Sequence, residues 1–263
     1  MLTLIIGNHP RHLYFSKKMV QKFPIENLII QKRQNFLTNS YNKITGMTDL
    51  EKLHFKKRQD AEIKFFGDEK DFLRKFNKII EIDKEDLKNG KLKKKLTKCE
   101  NQNLISYGCN KIDNDILKMF SNNTWNIHAG LSPWYRGSAT HFWPTYLLEP
   151  EFTGMTVHNL TDNLDGGEII HQGLVNLNTN DGIHENSCRC LYDFFGEIIE
   201  LFDKEIFKKK VKGIIQKSSG RIWTQKMWHP KLLTVIYSQF NDRINKFCIE
   251  NKHLRPPKIE TIF

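Results

Sequence analysis

The sequence has 263 residues and contains no apolar run that approaches the roughly 18 residues needed to span a membrane. Its opening run, Leu2–Ile6, is too short for the apolar core of a signal peptide, has no basic segment before it and leads straight into Gly7. These features favour a first buried strand rather than a targeting segment. We therefore expect a cytoplasmic protein without a membrane partner.

Cysteine is scarce, and its spacing excludes two further classes of protein. The five cysteines are an odd number and lack the spacing of a disulfide framework: Cys99, Cys109, Cys188, Cys190 and Cys248. No second Cys or His pair lies at ligand distance from Cys188 and Cys190, so no zinc knuckle or other metal site is predicted. Reduced thiols agree with a cytoplasmic location.

A dinucleotide-binding fingerprint is also missing. The residues after the first apolar run read Gly-Asn-His-Pro-Arg-His, which is not the Gly-x-Gly-x-x-Gly pattern. One interpretation is a plain turn between a strand and a helix. The other is that Asn8, His9 and Arg11, together with His12, line a pocket for the acceptor substrate, where cationic donors would suit a phosphate.

Positive charge is abundant. The formal net charge is +11, and lysines cluster at residues 84–98 and 204–217 among apolar residues at helical spacing. Two solvated helix faces explain this pattern most simply. Attraction of a polyanion, such as a nucleotide, a phosphorylated sugar, a polyglutamylated cofactor or tRNA, is the functional alternative. Charge alone does not separate the two.

Strand-like apolar runs alternate with helical patterns along the chain. The strand-like runs are Leu2–Ile6, Leu28–Ile30, Leu104–Tyr107, Trp125–His128, Met155–Leu160 and Glu168–Val175. The helical patterns are Leu13–Phe23, Lys70–Ile80, Asp113–Phe120 and Thr140–Leu148. Such alternation predicts an α/β fold with a doubly wound, mostly parallel, Rossmann-like sheet. Functional loops are expected at the carboxyl ends of the strands.

The last third of the chain reads as mainly helical. A long amphipathic helix is predicted over Ile183–Phe207, and Pro230 is expected to open a final helix over Lys231–Cys248. We place a domain boundary near Val211, with a catalytic domain at 1–210 and a small helical extension at 211–263. The terminal helices are expected to build a homodimer interface.

The segment Trp125–Gln172 carries the chemistry. Asn126 and His128 are two residues apart at the end of a strand-like run, so their side chains project to the same side. Asp165 lies in a second, glycine-flanked loop that could meet them. A carboxamide, an imidazole and a carboxylate in one cleft can polarise a carbonyl, hold an oxyanion and move a proton, which is the chemistry of acyl transfer. His158 either packs beneath this site or supports it.

The loop after His128 is expected to form one wall of the cleft. Pro133 and Gly137 bracket a rigid turn, and Gly137 is placed with the substrate. Arg136 either binds an anionic group of the substrate or makes a surface ion pair. No Ser or Cys nucleophile lies in the motif, so no covalent acyl-enzyme is required.

Two stretches resemble the folate-dependent formyltransferases. They are N-I-H-A-G-L-S-P-W-Y-R-G and T-V-H-N-L-T-D-N-L-D-G-G, which begin at Asn126 and Thr156. The resemblance implies that Asn126 and His128 position substrate and oxyanion, and that Asp165 handles the proton. Gly130 and Ser132 depart from the usual Ser and Leu of the first motif.

The same resemblance implies 10-formyltetrahydrofolate as the cofactor and indicates where it binds. One wall of its pocket would come directly after the strand that precedes the catalytic strand in the chain. The other would come at the end of the strand that contains Thr156. The implied residues are Tyr107, Gly108, Asn110, Lys111 and Ile112 on the first wall, and Leu160, Asp162 and Asn163 on the second.

The expected reaction is transfer of a formyl group to the primary amine of a nucleotide-linked amino sugar. The purine enzyme of the family is disfavoured because its N-terminal Gly/Ser cluster is missing. The methionyl-tRNA enzymes carry a C-terminal barrel, and the residues after Val211 look too few and too helical to form one. Methionyl-tRNA formylation, folate hydrolysis and non-catalytic binding of an anion remain the alternatives.

Overall fold

A computed structural model describes residues 1–32, 46–67, 79–88, 91–96, 102–203, 205–218 and 220–263. Its centre is a seven-stranded sheet in the order β3-β2-β1-β4-β5-β7-β8. The strands of this sheet are β1 (Leu2–Gly7), β2 (Ile25–Gln31), β3 (Ile79–Ile82), β4 (Asn103–Tyr107), β5 (Thr124–His128), β7 (Gly154–Asn159) and β8 (Ile169–Leu174). The first five are mutually parallel, and β7 runs antiparallel to both β5 and β8. The α/β, mostly parallel fold is confirmed.

Helices connect and cover these strands. They are α1 (Pro10–Lys22), α2 (Asp49–Phe66), α3 (Lys91–Leu96), α4 (Asn114–Leu117), α5 (Phe142–Tyr146), α6 (Ile183–Leu201) and α7 (Ile244–Glu250). Local chemistry sets several of their ends. Pro10 opens α1 where its missing N–H is harmless, and Thr48 and Glu51 form a capping box at the start of α2.

Strand β1 shows how the sheet separates two cores. Leu4 and Ile6 face a cluster shared with α1, α2 and α6, whereas Ile5 faces a second cluster on the opposite side. Successive side chains of a strand point to opposite faces, so an unbroken apolar run is what a strand buried on both faces requires. The first cluster is rich in aromatic rings, such as Phe15 and Phe195 at a centroid separation of 5.1 Å.

The chain order places a switch point between β1 and β4. From β1 the chain moves outward through β2 and β3, and then returns to the other side of β1 as β4. Loops at the carboxyl ends of β1 and β4 diverge there, which opens a crevice in sheets of this kind. The loops that begin at Asn8 and Gly108 therefore face the same edge of the sheet as the end of β5.

Several element boundaries from the sequence are wrong. The helix predicted over Lys70–Ile80 lies mostly outside the described residues, and its last two residues belong to strand β3. The helix predicted over Asp113–Phe120 is a four-residue turn, α4, and the one over Ile183–Phe207 ends at Leu201. Tertiary contacts, rather than the apolar pattern alone, decide whether the backbone is helical.

The predicted final helix over Lys231–Cys248 is also wrong, because it is three short elements. A 3₁₀ turn (Pro230–Leu232) leads into a π-helical stretch (Thr234–Gln239), and α7 begins only at Ile244. The break falls at Asn241 and Asp242, both of which have positive φ angles of 48° and 57°. Left-handed backbone cannot continue a right-handed helix.

Residues after Val211 pack against the rest of the chain. The two-residue strand β9 (Ile222–Trp223) pairs with β6 (Arg136–Gly137), and Ile214 bridges the edge strand β8 at Ile169. A third apolar cluster joins the two parts of the chain: Tyr135, Phe142, Trp143 and Ile183 with Trp223, Leu233, Ile236, Tyr237, Ile244 and Cys248. Among the described residues, no helix has the length and apolar character needed to cross a membrane.

His54 of α2 is a buried histidine at this junction. Its Nδ1 lies 2.8 Å from the Tyr237 hydroxyl and 3.1 Å from His184 Nε2, and the residue is 6% exposed. Burial, followed by the nearby Arg58 guanidinium, lowers the pKa of His54 to about 3. The imidazole is therefore neutral in the folded protein at pH values where an unfolded chain would protonate it.

We expect the protein to lose stability as the pH falls below about 6.5, because the unfolded chain then binds a proton at His54 that the folded protein does not. The contribution of His54 to this loss between pH 7.5 and 5.5 is about 1 kcal/mol. Urea unfolding at the two pH values measures it. The loss should shrink by that amount in His54→Gln and stay unchanged in His253→Gln, which alters an exposed histidine. An equal loss in all three proteins would refute the assignment.

Candidate active site

The carboxyl end of β5 presents two polar side chains at the edge of the sheet. Asn126 and His128 lie two residues apart, as predicted, and β4 supports the first of them. The Ser106 hydroxyl donates a hydrogen bond of 2.8 Å to Asn126 Oδ1. Because this contact engages the carbonyl oxygen, the amide group of Asn126 is directed away from β4 and towards β7.

Asp165 comes back to this edge from the loop between β7 and β8. Its Oδ2 lies 3.5 Å from His128 Nδ1, and its Oδ1 lies 3.5 Å from His158 Nε2. His158 Nε2 also lies 3.3 Å from Asn126 Nδ2. The three residues singled out from the sequence thus meet around one carboxylate, with His158 as the link between Asn126 and Asp165.

The hydrogen bonds of the two imidazoles define their neutral tautomers. His128 Nε2 lies 2.9 Å from the Tyr135 carbonyl oxygen, which can only accept, so this nitrogen carries the proton. Nδ1 of His128 is then the unprotonated nitrogen, and it faces Asp165. By the same reasoning His158 donates from Nδ1 to the Asn159 carbonyl at 2.9 Å and accepts from Asn126 at Nε2.

The surroundings of His128 and Asp165 set a different charge on each: the imidazole is neutral and the carboxylate is ionised. Burial lowers the pKa of His128 more than the facing Asp165 carboxylate raises it, so the imidazole is neutral at pH 7. Burial opposes the charged form of Asp165, but the positive charge that His128 and His158 can take up, together with the hydrogen bond from the Gly137 N–H, outweighs it. The pKa of Asp165 is therefore held well below its usual range. A carboxylate facing a bare imidazole nitrogen is an arrangement that can receive a proton.

This cluster lies at the surface end of the strands rather than in the core. Asn126 is half-buried, and the Asp165 side chain is 11% exposed. His158 is 2% exposed and lies beneath them. A ligand can therefore reach the amide and the carboxylate, while His158 supports both from below.

Arg136 and Gly137 hold the Asp165 loop in place. The Gly137 N–H donates to Asp165 Oδ2 at 2.9 Å, and the buried Arg136 guanidinium donates to the Leu164 carbonyl oxygen. Gly137 has a φ of 100°, and a side chain there would collide with the Trp223 carbonyl. Arg136 is buried, with 6% of its surface exposed, and its role towards the substrate remains a prediction.

The two departures from the family motif have visible structural partners. A Cβ on Gly130 would overlap His128 Nε2 and the Tyr135 carbonyl, so glycine makes room for the hydrogen bond between those two groups. The Ser132 hydroxyl donates to the backbone carbonyl of Asp165 at 3.3 Å. Both residues thus contact the groups that carry the chemistry.

The residues expected to bind the cofactor lie on two segments, the two expected walls of its pocket, which contact each other. Ile112 and Leu160 pack in the same apolar cluster, one from each wall. At the rim, Lys111 Nζ lies 3.5 Å from Asp162 Oδ1, and Asn114 donates to both oxygens of that carboxylate at 2.8 and 2.9 Å. Asn163 accepts from the Gly166 N–H at 3.2 Å and so shapes the loop that carries Asp165.

Three residues of the first wall have partners below it. The Asn110 backbone N–H and side chain are both hydrogen-bonded to Gln31, at 2.8 and 2.6 Å. The Tyr107 ring is buried in the aromatic core, 4.6 Å from the His12 ring. Gly108 adopts a φ of 65° against His12, where a side chain would collide. These contacts set the path of the wall, and the cofactor-binding role of the three residues remains a prediction.

The residues expected to bind the acceptor lie at the end of β1. Asn8 follows β1 directly, and His9 is the N-cap residue of α1. Arg11 Nη1 makes a 2.6 Å salt bridge with the buried Glu62 of α2. Part of the charge of Arg11 is therefore matched within the protein, and its side chain keeps 21% exposure.

Sequence reasoning missed four residues that shape the site. Ser106 orients Asn126, Gln31 fixes the loop after β4, Gln172 donates to the Ser132 carbonyl at 2.5 Å, and Gln216 donates to the Asp165 loop. Ser106 lies beside Asn126 on the neighbouring parallel strand β4. Two polar residues at matching positions of consecutive strands could have indicated this contact from the sequence. The three glutamines lie in unremarkable sequence, and only the fold brings them to the site.

A family model described as formyl transferase matches residues 25–191, more than half of the chain. The protein therefore belongs to the formyl transferase family. Its matched region includes Asn126, His128 and Asp165.

Curated relatives and solved structures were also compared. Over 103 residues the chain is 30% identical to the methionyl-tRNA formyltransferase of Buchnera aphidicola subsp. Acyrthosiphon pisum, which covers 39% of this chain and 32% of that protein. The match thus spans less than half of the relative's length.

Two solved structures share the fold. A 4-N formyltransferase from Francisella tularensis superposes with a TM-score of 0.53 at 17% identity, covering 86% of this chain and 76% of that one. An N-formyltransferase from Helicobacter canadensis, in complex with folinic acid and dTDP-3-aminofucose, superposes with a TM-score of 0.51 at 16% identity, covering 87% and 73%.

Proposed function

We propose that this protein transfers a formyl group from 10-formyltetrahydrofolate to a primary amine. The observation that carries the proposal is the convergence of Asn126, His128 and Asp165, with His158, within 3.5 Å contacts at the carboxyl end of β5. Attack of an amine on a formyl group produces an oxyanion and an ammonium proton. The cluster offers a group suited to each.

The oxyanion is assigned to the amide of Asn126. Ser106 holds its oxygen, one N–H is directed at His158, and the second N–H is available to a developing negative charge. Such a donor contributes a few kcal/mol in the transition state, about 3 kcal/mol in well-studied cases. Direct stabilisation by hydrogen bonding therefore rests on one well-oriented amide.

The proton of the attacking amine is assigned to the Asp165–His128 pair. The carboxylate is charged and the facing Nδ1 of His128 is bare, so a proton delivered to Asp165 is shared across the 3.5 Å gap. The imidazole then gains positive charge beside the oxyanion and helps to stabilise it. The proton taken from the amine balances the one that the folate nitrogen gains when its bond to the formyl carbon breaks, so tetrahydrofolate can leave without a covalent acyl-enzyme.

The folate is proposed to bind between the two walls described above. Leu160, which packs against the cluster that contains the buried Ile112, offers an apolar surface to a flat pterin ring, and the polar rim of Lys111 and Asp162 can meet its hydrogen-bonding edge. Both walls lead to the Asp165 loop. The folate supplies the formyl group, and the residues of this chain orient it.

The acceptor is proposed to be the amino group of a nucleotide-linked amino sugar. Asn8, His9 and Arg11 lie at the end of β1, beside the switch point where α/β proteins bind ligands. The Helicobacter canadensis neighbour, whose fold is similar, was solved with a nucleotide-linked amino sugar. Methionyl-tRNA is the second candidate, favoured by the curated relatives that carry that name.

We expect a panel assay to identify the acceptor. The protein is incubated with 10-formyltetrahydrofolate and a set of nucleotide-linked amino sugars, with aminoacylated initiator tRNA in a parallel reaction. A mass gain of one formyl group on a sugar nucleotide supports the proposal, and formylation of the tRNA alone supports the second candidate. Folate turnover without any acceptor indicates a hydrolase. If neither folate turnover nor a formylated product appears, the transferase assignment fails.

A further inference from the structure

The Asp165 loop, residues 160–168, needs external support because it carries strain without regular pairing. Asp165 has a φ of 47°, in the left-handed region that is unfavourable for most non-glycine residues. Its carboxylate must also face two imidazoles at once. Contacts from elsewhere in the chain therefore decide where the carboxylate lies.

Gln216 makes two of these contacts. Its Nε2 donates to the Asp165 carbonyl at 3.0 Å and to the Gly167 carbonyl at 2.8 Å. One side-chain amide therefore holds the backbone from Asp165 to Gly167. Ser132 adds a longer bond of 3.3 Å to the same Asp165 carbonyl. Ser132 lies within the motif region, whereas Gln216 lies 51 residues beyond Asp165 in the chain.

Backbone pairing fixes Gln216 beside the loop. Ile214 and Ile169 exchange two hydrogen bonds of 2.8 Å, and the Gly213 N–H donates to Glu168 Oε2 at 3.0 Å. Ile215 is 69% exposed and the Lys217 side chain is 86% exposed, so Gln216 alone of these three is directed inward. Alternation along an extended segment explains this pattern.

The two ends of the Gln216 amide differ. Nε2 makes two hydrogen bonds, whereas Oε1 is buried and finds no donor among the described residues. A buried acceptor without a partner lowers stability, so this amide is a poor choice for stability alone. Its position is better explained by the two donors that it directs at the loop.

We propose that Gln216 is a positioning residue of the active site, whose amide holds the Asp165 loop so that the carboxylate faces both His128 and His158. The proposal rests on the formyl transfer described above for its effect on rate. The segment after Val211 then completes the catalytic centre and does more than cover it.

The test compares two substitutions with a matched control. Gln216→Glu keeps the shape of the side chain but sets a carboxylate against two carbonyl oxygens, and Gln216→Met removes the donors without adding charge. Lys217→Gln, at the neighbouring exposed position, is the control. We expect both Gln216 variants to lose between about 10- and 100-fold in kcat, with the KM for the folate within about twofold, because orientation rather than binding is lost.

A second measurement does not depend on turnover. The imidazole ¹⁵N shifts of His128 and His158 at pH 7.5 report the position of the facing carboxylate, with Asp165→Asn as the reference for its loss of charge. Both Gln216 variants should move these resonances in the direction that Asp165→Asn does, and Lys217→Gln should not. Unchanged shifts overturn the proposal whatever the activity, and so does a kcat within twofold of wild type. If the wild-type protein transfers no formyl group, the proposed function fails and the shifts alone decide the role of Gln216.

Discussion

Asp165→Asn is expected to lower kcat by about 10²- to 10⁴-fold while the protein stays folded. Asparagine is one of the few residues that adopt left-handed backbone readily, so the φ of 47° can persist. Its amide oxygen can still accept from the Gly137 N–H. What disappears is the negative charge that faces His128 and His158, and with it the ability to receive the ammonium proton.

Steady-state rates with the acceptor identified by the panel assay measure this effect. Asp193→Asn, at an exposed position of α6, is the matched control and should retain full activity. The double variant Asp165→Asn/His128→Ala should lose little more than Asp165→Asn alone, because the two side chains act as a unit. Near-wild-type turnover in Asp165→Asn would remove the carboxylate from the mechanism.

Trp223→Ala is expected to lower the free energy of unfolding by about 3–5 kcal/mol. The indole is 5% exposed and stacks between Trp143, at a centroid distance of 4.5 Å, and Tyr135, at 5.7 Å. Its Nε1 donates to the Trp134 carbonyl at 3.2 Å. Alanine would leave a cavity in the cluster that joins the residues after Val211 to the loop after β5.

Urea unfolding of Trp223→Ala beside Ile222→Ala tests this expectation. Ile222 is the neighbour in the same short strand and is 43% exposed, so its truncation should change stability by about 0.5 kcal/mol or less. Activity should fall in Trp223→Ala as well, because loss of the indole loosens strand β9, which pairs with Gly137, the residue that holds Asp165. Equal destabilisation by the two substitutions would mean that the aromatic cluster does not stabilise the packing of the residues after Val211 against the loop after β5.

The chemistry of the site was legible in the sequence because it is encoded locally. Asn126 and His128 lie on the same side of β5 because side chains of a strand alternate with a period of two residues. The turn around Asp165 is indicated by the glycines that follow it, Gly166 and Gly167. The parallel alternation of strands and helices placed Asn126 and His128 at the carboxyl edge of the sheet, whereas Asp165 follows the antiparallel strand β7 and was not placed by that pattern. The boundary near Val211 and the homodimer remain predictions.

Other features were beyond sequence reasoning for identifiable physical reasons. Ile79 and Ile80 fit a helical or a strand pattern equally well over so short a run, and pairing with β2 makes them a strand. Asn241 and Asp242 break the last helix through left-handed backbone that both residues tolerate, and neither is a helix breaker on composition alone.

By itself, the sequence determined which residues are buried on each strand and which polar groups end β5, since side-chain alternation and turn chemistry depend on neighbours along the chain. Only the tertiary structure decided that His158 links Asn126 to Asp165, that Gly137 and Gln216 hold the carboxylate, and that Trp223 lies in a core shared with Tyr135. Those contacts join residues far apart in the chain. They exist because the strands bring distant backbone together, which no local pattern records.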